Sequence, residues 1–254
     1  MKKLKLFYFG SPSFSAYFLE KLLTDKTLPI EVKLVITQED KPVGRKQILT
    51  PTPVKAVAQK YKIRVKSQMT NDKSQINSKS QISNSKNLEF VNSKLFGTCD
   101  LDLGALKNID FALVYAYASI IPKELLELPK YGFWCIHPSL LPKYRGPSPI
   151  AFALINGEKE TGTTIFQMDE KIDHGPIIIQ EKLEILPDDK RPDLEKRLTD
   201  LAFEMFKKLV MGEAINFLRF RGVGVPTASK NFVAKPLKEQ NHKQATYTRL
   251  LKKQ

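Results

Sequence analysis

LKLFYFGSPS, from Leu4 to Ser13, is the stretch that decides the architecture. Its apolar run ends at Gly10, a Ser-Pro-Ser turn follows, and Phe14, Tyr17, Phe18, Leu19, Leu22 and Leu23 then recur at helical spacing. This reads as strand, tight turn, helix. The pattern repeats at once: a strand from Ile30 to Thr37, a polar and basic stretch from Gln38 to Thr50, then Pro51-Thr52-Pro53 opening a helix through Lys60. Strands alternating with helices imply a parallel sheet. In such sheets ligands bind beyond the carboxyl ends of the strands, so the loops at Gly10, Gln38, Tyr117 and His137 are expected along one edge.

Order breaks off between Lys66 and about Leu103, where Ser, Asn, Lys and Gln dominate and KSQM at Lys66 is echoed by KSQI at Lys73 and Lys79. Too little apolar surface is available there to offset the entropy of ordering, so the stretch reads as a disordered insertion. A basic tether for RNA is the alternative. The pattern resumes with a strand from Ile109 to Ala116, a helical turn from Pro122 to Leu128, and a strand from Phe133 to Ile136 that delivers His137 at its end. Pro138 to Pro149 reads as a loop and Ile150 to Asn156 as a helix. Apolar alternation over Thr163–Met168 and Ile177–Leu183 frames Asp169 to Pro176. Leu194, Leu198, Leu201, Met205 and Leu209 mark a long amphipathic helix closed by Gly212, and the chain beyond Gly222 is irregular and basic.

A chain of 254 residues with 42% hydrophobic content suits one sizeable α/β domain plus an appendage. The net charge of +14 favours a polyanionic partner, nucleic acid before membrane, because Lys and Arg that neutralise phosphates release counterions. A merely solvated surface is the bland alternative. No apolar run approaches the roughly twenty residues of a membrane span, and the N-terminus lacks a long signal-peptide core. The expectation is a cytoplasmic protein without membrane contact. Two cysteines and three scattered histidines form no disulfide framework and no metal-ligand spacing, so no metal is expected.

CIHPSLLPKYRGPSPI from Cys135 to Ile150 and TTIFQMDEKIDHGPII from Thr163 to Ile178 resemble the folate-dependent formyltransferase superfamily. Its signature is an Asn two residues before a His, the SLLP loop, and a later Asp in a D-x-G context. FGSPSF from Phe9 to Phe14, TQEDKPVGRKQILTPTPVK from Thr37 to Lys55 and ATYTRLLKK from Ala245 to Lys253 are similar to stretches of its methionyl-tRNA branch. The resemblance implies an α/β fold with a Rossmann-like, mostly parallel sheet flanked by helices. It also implies transfer of a formyl group from 10-formyltetrahydrofolate to the amino group of initiator methionyl-tRNA. A monomeric catalytic domain over 1–212 is expected, with 213–254 as a basic linker toward a second, barrel-like tRNA-binding domain that lies outside this sequence.

The chemistry explains the residue types. An amine attacking a formyl carbon creates a negative oxygen and a nitrogen that must lose a proton, so the site needs an oxyanion donor and a proton acceptor. His137 can serve either task, since an unperturbed imidazole titrates near neutrality. The resemblance implies that Asp173 orients His137 and holds a proton-accepting water. It implies folate contacts from Ser139, Leu140, Leu141 and Pro142, and from Tyr117 and Ile121 beside Ala118, which replaces a glycine of the family. Lys41, Arg45 and Lys46 lie in the stretch that wedges into the tRNA acceptor stem in the family, or else form a solvated loop. Arg145 is expected to touch the folate glutamate tail or RNA phosphate.

Cys135 stands where the family has its Asn. A thiol is a weak donor beside a carboxamide, so weakened oxyanion stabilisation is expected. A cysteine nucleophile is the obvious alternative, yet formyl transfer to an amine needs no covalent intermediate. Competing readings are a formyltransferase acting on glycinamide ribonucleotide or an amino sugar nucleotide, and a weakened folate- or RNA-binding remnant.

Overall fold

The computed structural model describes residues 3–68, 108–119, 121, 123–211 and 238–250. Most of the expected insertion and residues 212–237 lie outside the described residues.

The first strand, β1 (Leu4–Gly10), runs into α1 (Ser13–Thr24) through Ser11 and Pro12. Its side chains are buried on both faces, as a central parallel strand requires: Leu4, Leu6 and Tyr8 enter one core, Phe7 and Phe9 the other. β2 (Ile30–Gln38) pairs parallel to β1. Thr52 caps α2 (Pro53–Lys60) by accepting from the Lys55 N–H at 3.1 Å, with proline at the first helical position.

The segment between β2 and α2 is a hairpin of β3 (Lys41–Val43) and β4 (Ile48–Thr50), where the sequence pattern suggests only a loop. Three residues per arm are too few for alternation to register, and the turn is made by Gly44 and Gln47 at φ +74° and +49°. β5 (Val65–Gln68) then joins the sheet edge beside β2. Lys66 to Gln68 are thus strand, and the expected insertion begins too early by these residues; edge pairing overrides their polar composition.

β6 (Phe111–Tyr115), a short α3 (Lys123–Leu126) and β7 (Phe133–His137) follow, with β6 and β7 continuing the parallel ladder. α4 (Pro149–Ile155) leads to β8 (Glu160–Gln167) and β9 (Ile177–Glu184), both antiparallel to their neighbours. The sheet order is β5-β2-β1-β6-β7-β8-β9, a mostly parallel seven-stranded sheet. The carboxyl ends of β1, β2, β6 and β7 share one edge. α5 (Arg191–Met211) buries Ala202, Phe203, Met205, Phe206 and Leu209 against α1 and the sheet. Each of these side chains larger than alanine contributes roughly 1.5–3 kcal/mol.

The expected C-terminal linker is partly docked. Lys238 bridges Ile177, Tyr247 bridges Arg145, and a single 3₁₀ turn spans His242–Gln244.

Candidate active site

β7 alternates its side chains, so Trp134 and Ile136 enter one core while Cys135 and His137 face the opposite side. His137 is buried at the carboxyl edge. Its Nε2 donates to the Tyr144 carbonyl at 2.8 Å, and because a carbonyl only accepts, Nδ1 is the unprotonated nitrogen of the neutral ring. Nδ1 faces Asp173 Oδ2 at 3.6 Å, too far for a direct hydrogen bond and close enough for both to share a third group.

Asp173 sits on the loop between β8 and β9 with φ +47°, a left-handed conformation that costs a non-glycine residue about 1–3 kcal/mol. Its Oδ2 accepts from the Gly146 N–H at 2.6 Å. Two glycines let the backbone close here. A Cβ on Gly146, at φ +101°, would meet the Thr248 carbonyl at 2.9 Å, and one on Gly175 would meet the Gln167 carbonyl at 1.8 Å.

Cys135 is partly buried among Leu141, Phe166, Met168 and Ile177. Burial pushes its thiol well above the ordinary range, and the neighbouring Asp173 carboxylate pushes it further. The neutral thiol is a poor nucleophile, which argues against covalent catalysis by this cysteine.

The SLLP turn is held from below. Thr164 Oγ1, paired across β7 and β8 with His137, donates to the Ser139 carbonyl at 2.7 Å and accepts from the Leu141 N–H at 3.2 Å. Gln180, opposite Thr164 on β9, donates from Nε2 to the Leu141 carbonyl at 3.0 Å and to Thr164 Oγ1 at 2.7 Å. Ser139 is buried and donates to the Lys143 carbonyl at 2.6 Å, so its hydroxyl shapes the turn. Leu141 is buried, while Leu140 and Pro142 are half-buried. Thr164 has no assigned role in the TTIFQMDEKIDHGPII stretch, and Gln180 lies in no motif. Only the antiparallel register places them under the loop.

Tyr117 and Ile121 pack beside Phe9 and Cys135 on the same face of the sheet, with the Tyr117 and Phe9 rings edge to face at 5.4 Å. A separate cavity of about 390 Å³ lies beyond β1 and β2, lined by Ser11, Gln38, Lys41, Thr50, Thr52 and Ala118 among others. Lys41, Arg45 and Lys46 are exposed on the hairpin beside it, together with Val43, Ile48 and Leu49.

Arg145, expected to touch the folate glutamate tail or RNA phosphate, is turned inward. It is 1% exposed, and its guanidinium donates to Gln240, His242 and Tyr247 of the C-terminal segment. The arginine therefore ties the segment to the loop after SLLP, and its fork is already filled from within the chain.

A family model described as formyl transferase matches residues 2–210. The chain belongs to the formyl transferase family. It is 36% identical over 252 residues to the methionyl-tRNA formyltransferase of Thermotoga maritima, covering 99% of this chain and 66% of that protein. It is 39% identical over 198 residues to the methionyl-tRNA formyltransferase of Caldicellulosiruptor saccharolyticus, covering 78% of this chain and 56% of that protein. The chain thus spans just under two thirds, or less, of the length of these relatives. Among solved structures, phosphoribosylglycinamide formyltransferase from Bacillus halodurans superposes with a TM-score of 0.59 at 26% identity, over 81% of this chain and 93% of that one. The mostly parallel sheet is the formyltransferase fold. No helix among the described residues is long and apolar enough to cross a membrane, and they hold no cluster of metal-ligating side chains.

Proposed function

We propose that this chain transfers the formyl group of 10-formyltetrahydrofolate to the amino group of initiator methionyl-tRNA, with His137 and Asp173 as the catalytic pair. The observation that carries the reading is their approach to 3.6 Å at the carboxyl edge, beside an SLLP turn pinned by Thr164 and Gln180.

In this reading the donor lies along Leu140, Leu141 and Pro142, with Tyr117 and Ile121 as the facing apolar wall. The methionyl amine attacks the formyl carbon, and the carbonyl oxygen takes the negative charge. His137 stabilises that oxygen as a hydrogen-bond donor when its Nδ1 carries a proton. The attacking nitrogen gives up a proton through Asp173 or a water it holds. Collapse breaks the bond from the formyl carbon to N10, and a proton returns to N10. Cys135 supplies only a weak donor at this site, so turnover is expected below that of an enzyme with a carboxamide there.

The exposed basic hairpin carrying Lys41, Arg45 and Lys46 and the two relatives above support tRNA as the acceptor. The Bacillus halodurans structure supports a second reading, with glycinamide ribonucleotide as acceptor. Formylation assays with methionyl-tRNA, glycinamide ribonucleotide and an amino sugar nucleotide decide between them. Transfer to methionyl-tRNA alone is expected, and faster transfer to either small amine would overturn the assignment.

A further inference from the structure

Gln240 stands 67 residues beyond Asp173 in the chain, yet its carboxamide is buried under the Asp173 loop. Nε2 donates to the Asp173 carbonyl at 3.1 Å and to the Gly175 carbonyl at 2.7 Å. Oε1 accepts from Arg145 Nε at 3.2 Å and Nη2 at 2.6 Å. Both donors and the acceptor oxygen of the amide are used, and the opposite orientation would set an NH₂ against a guanidinium and an oxygen against two carbonyls.

Arg145 is more deeply buried than Gln240, and the partners its guanidinium meets are Gln240 Oε1, His242 Nδ1 and the Tyr247 hydroxyl, all neutral acceptors. A buried cation held by neutral groups is a poor way to gain stability alone, because its desolvation is incompletely offset. What the arrangement does achieve is geometric. Arg145 orients Gln240, and Gln240 grips both ends of the turn from Asp173 to Gly175. The Asp173 side chain is caught from the other direction by the N–H of Gly146, the residue next to Arg145. Thr248 closes the same loop by donating its N–H to the Arg145 carbonyl at 2.7 Å. A left-handed aspartate persists only where its surroundings over-determine it, and here the C-terminal segment supplies much of that constraint.

We propose, building on the transferase reading, that Gln240 is a positioning residue for Asp173, and that the segment from Lys238 to Thr248 belongs to the formyl-transfer site. Arg145 is its buried anchor. The site is then built from loops of the sheet edge and from the Lys238–Thr248 segment, and that segment is structural equipment of the reaction.

Two substitutions in the full chain test this. Gln240→Met keeps the volume and removes every hydrogen bond. Gln240→Glu keeps an acceptor for Arg145 and removes the two N–H donors to the aspartate loop. If the donors position Asp173, both variants lose about tenfold to a hundredfold in kcat on methionyl-tRNA while KM for the formyl donor stays within about threefold. Mere anchoring of Arg145 predicts instead that Gln240→Glu keeps the parent kcat, and that result overturns the proposal. The Gly146 amide proton, held to a carboxylate at 2.6 Å, gives a second readout by NMR that needs no turnover. It should move upfield in both variants, and an unmoved resonance in both likewise overturns the proposal. A parent chain without turnover on any acceptor would defeat the transferase reading and leave the Gly146 resonance to decide the positioning claim.

Discussion

Cys135 and His137 project from the same face of one strand, two residues apart, and the difference between them sets what this site can do. A strand puts alternate side chains on one side, so an asparagine at 135 would aim its carboxamide toward the oxygen that, in the proposed reaction, His137 stabilises. The thiol found there stays neutral because burial and the Asp173 carboxylate oppose its ionisation. Cys135→Asn is therefore expected to raise turnover on methionyl-tRNA by about tenfold or more, appearing in kcat and not in donor affinity, since the charge develops in the transition state. Steady-state kinetics of parent and variant check this. An unchanged kcat in a fast parent would show that the thiol suffices. His137 and Cys135 were both legible as candidates from the motif. Their buried setting, with the Tyr144 carbonyl holding His137 and the Gly146 amide holding Asp173, was not, because the fold of those loops is encoded by no local pattern.

Two elements bracket the sheet edge and carry different charged groups. The hairpin of β3 and β4 exposes Lys41, Arg45 and Lys46 on a turn shaped by Gly44. Arg45→Ala should weaken tRNA binding and lower the slope of log affinity against log salt by about one, leaving donor affinity unchanged. Binding titrations across a salt series measure it, and an equal loss of donor affinity would move the hairpin's role to the folate site. The C-terminal segment behaves differently because it carries an imidazole. His242 stacks on His174 with ring centroids 4.0 Å apart, and its Nδ1 accepts from Arg145 at 2.8 Å. Partial desolvation, then the His174 and Arg145 charges, hold its pKa below the usual imidazole range; Lys171 lowers it as well, and Glu239 opposes them. A histidine whose folded pKa is depressed binds its proton more readily when released, so its contribution is present above the unfolded pKa of about 6.5 and is lost as pH falls below it. Hydrogen exchange at residues 243–248, corrected for intrinsic rates, should accelerate between pH 7 and pH 5. His242→Gln, which has no titrating ring, should flatten that dependence.

At the scale of the molecule, stability and chemistry occupy different sides of the sheet. Tyr8, Phe18, Phe111, Trp134 and Phe206 build one core beneath α1 and α5, with Phe206 contacting Phe18 and Phe111 at 6.0 Å between ring centroids. Truncating Phe206 to Ala should cost about 3–5 kcal/mol of unfolding free energy, because the ring is fully buried and its aromatic neighbours are fixed on α1 and β6. Denaturant titration reads this directly, and a loss under about 1 kcal/mol would mean that α5 repacks. The affinity of the folded fraction for the formyl donor should hardly change, since the candidate site lies at the sheet edge and on the opposite face.

Sequence by itself determined the succession of strand, turn and helix from Leu4 to Lys60, the hairpin of β3 and β4 apart. Apolar periodicity, a capping threonine and proline at a helix start are all written within about ten residues of one another. It also marked His137, the SLLP turn and Asp173, since these stand in short contiguous motifs. Tertiary structure alone decided that Thr164 and Gln180 brace that turn, that Lys66 belongs to an edge strand, and that Arg145 faces inward to Gln240. These contacts join residues as much as 95 positions apart, as with Arg145 and Gln240. They arise from sheet register and from the return of the C-terminal segment. Both are settled by burial and hydrogen-bond closure over the whole chain, and neither leaves a periodic trace in the residues that take part.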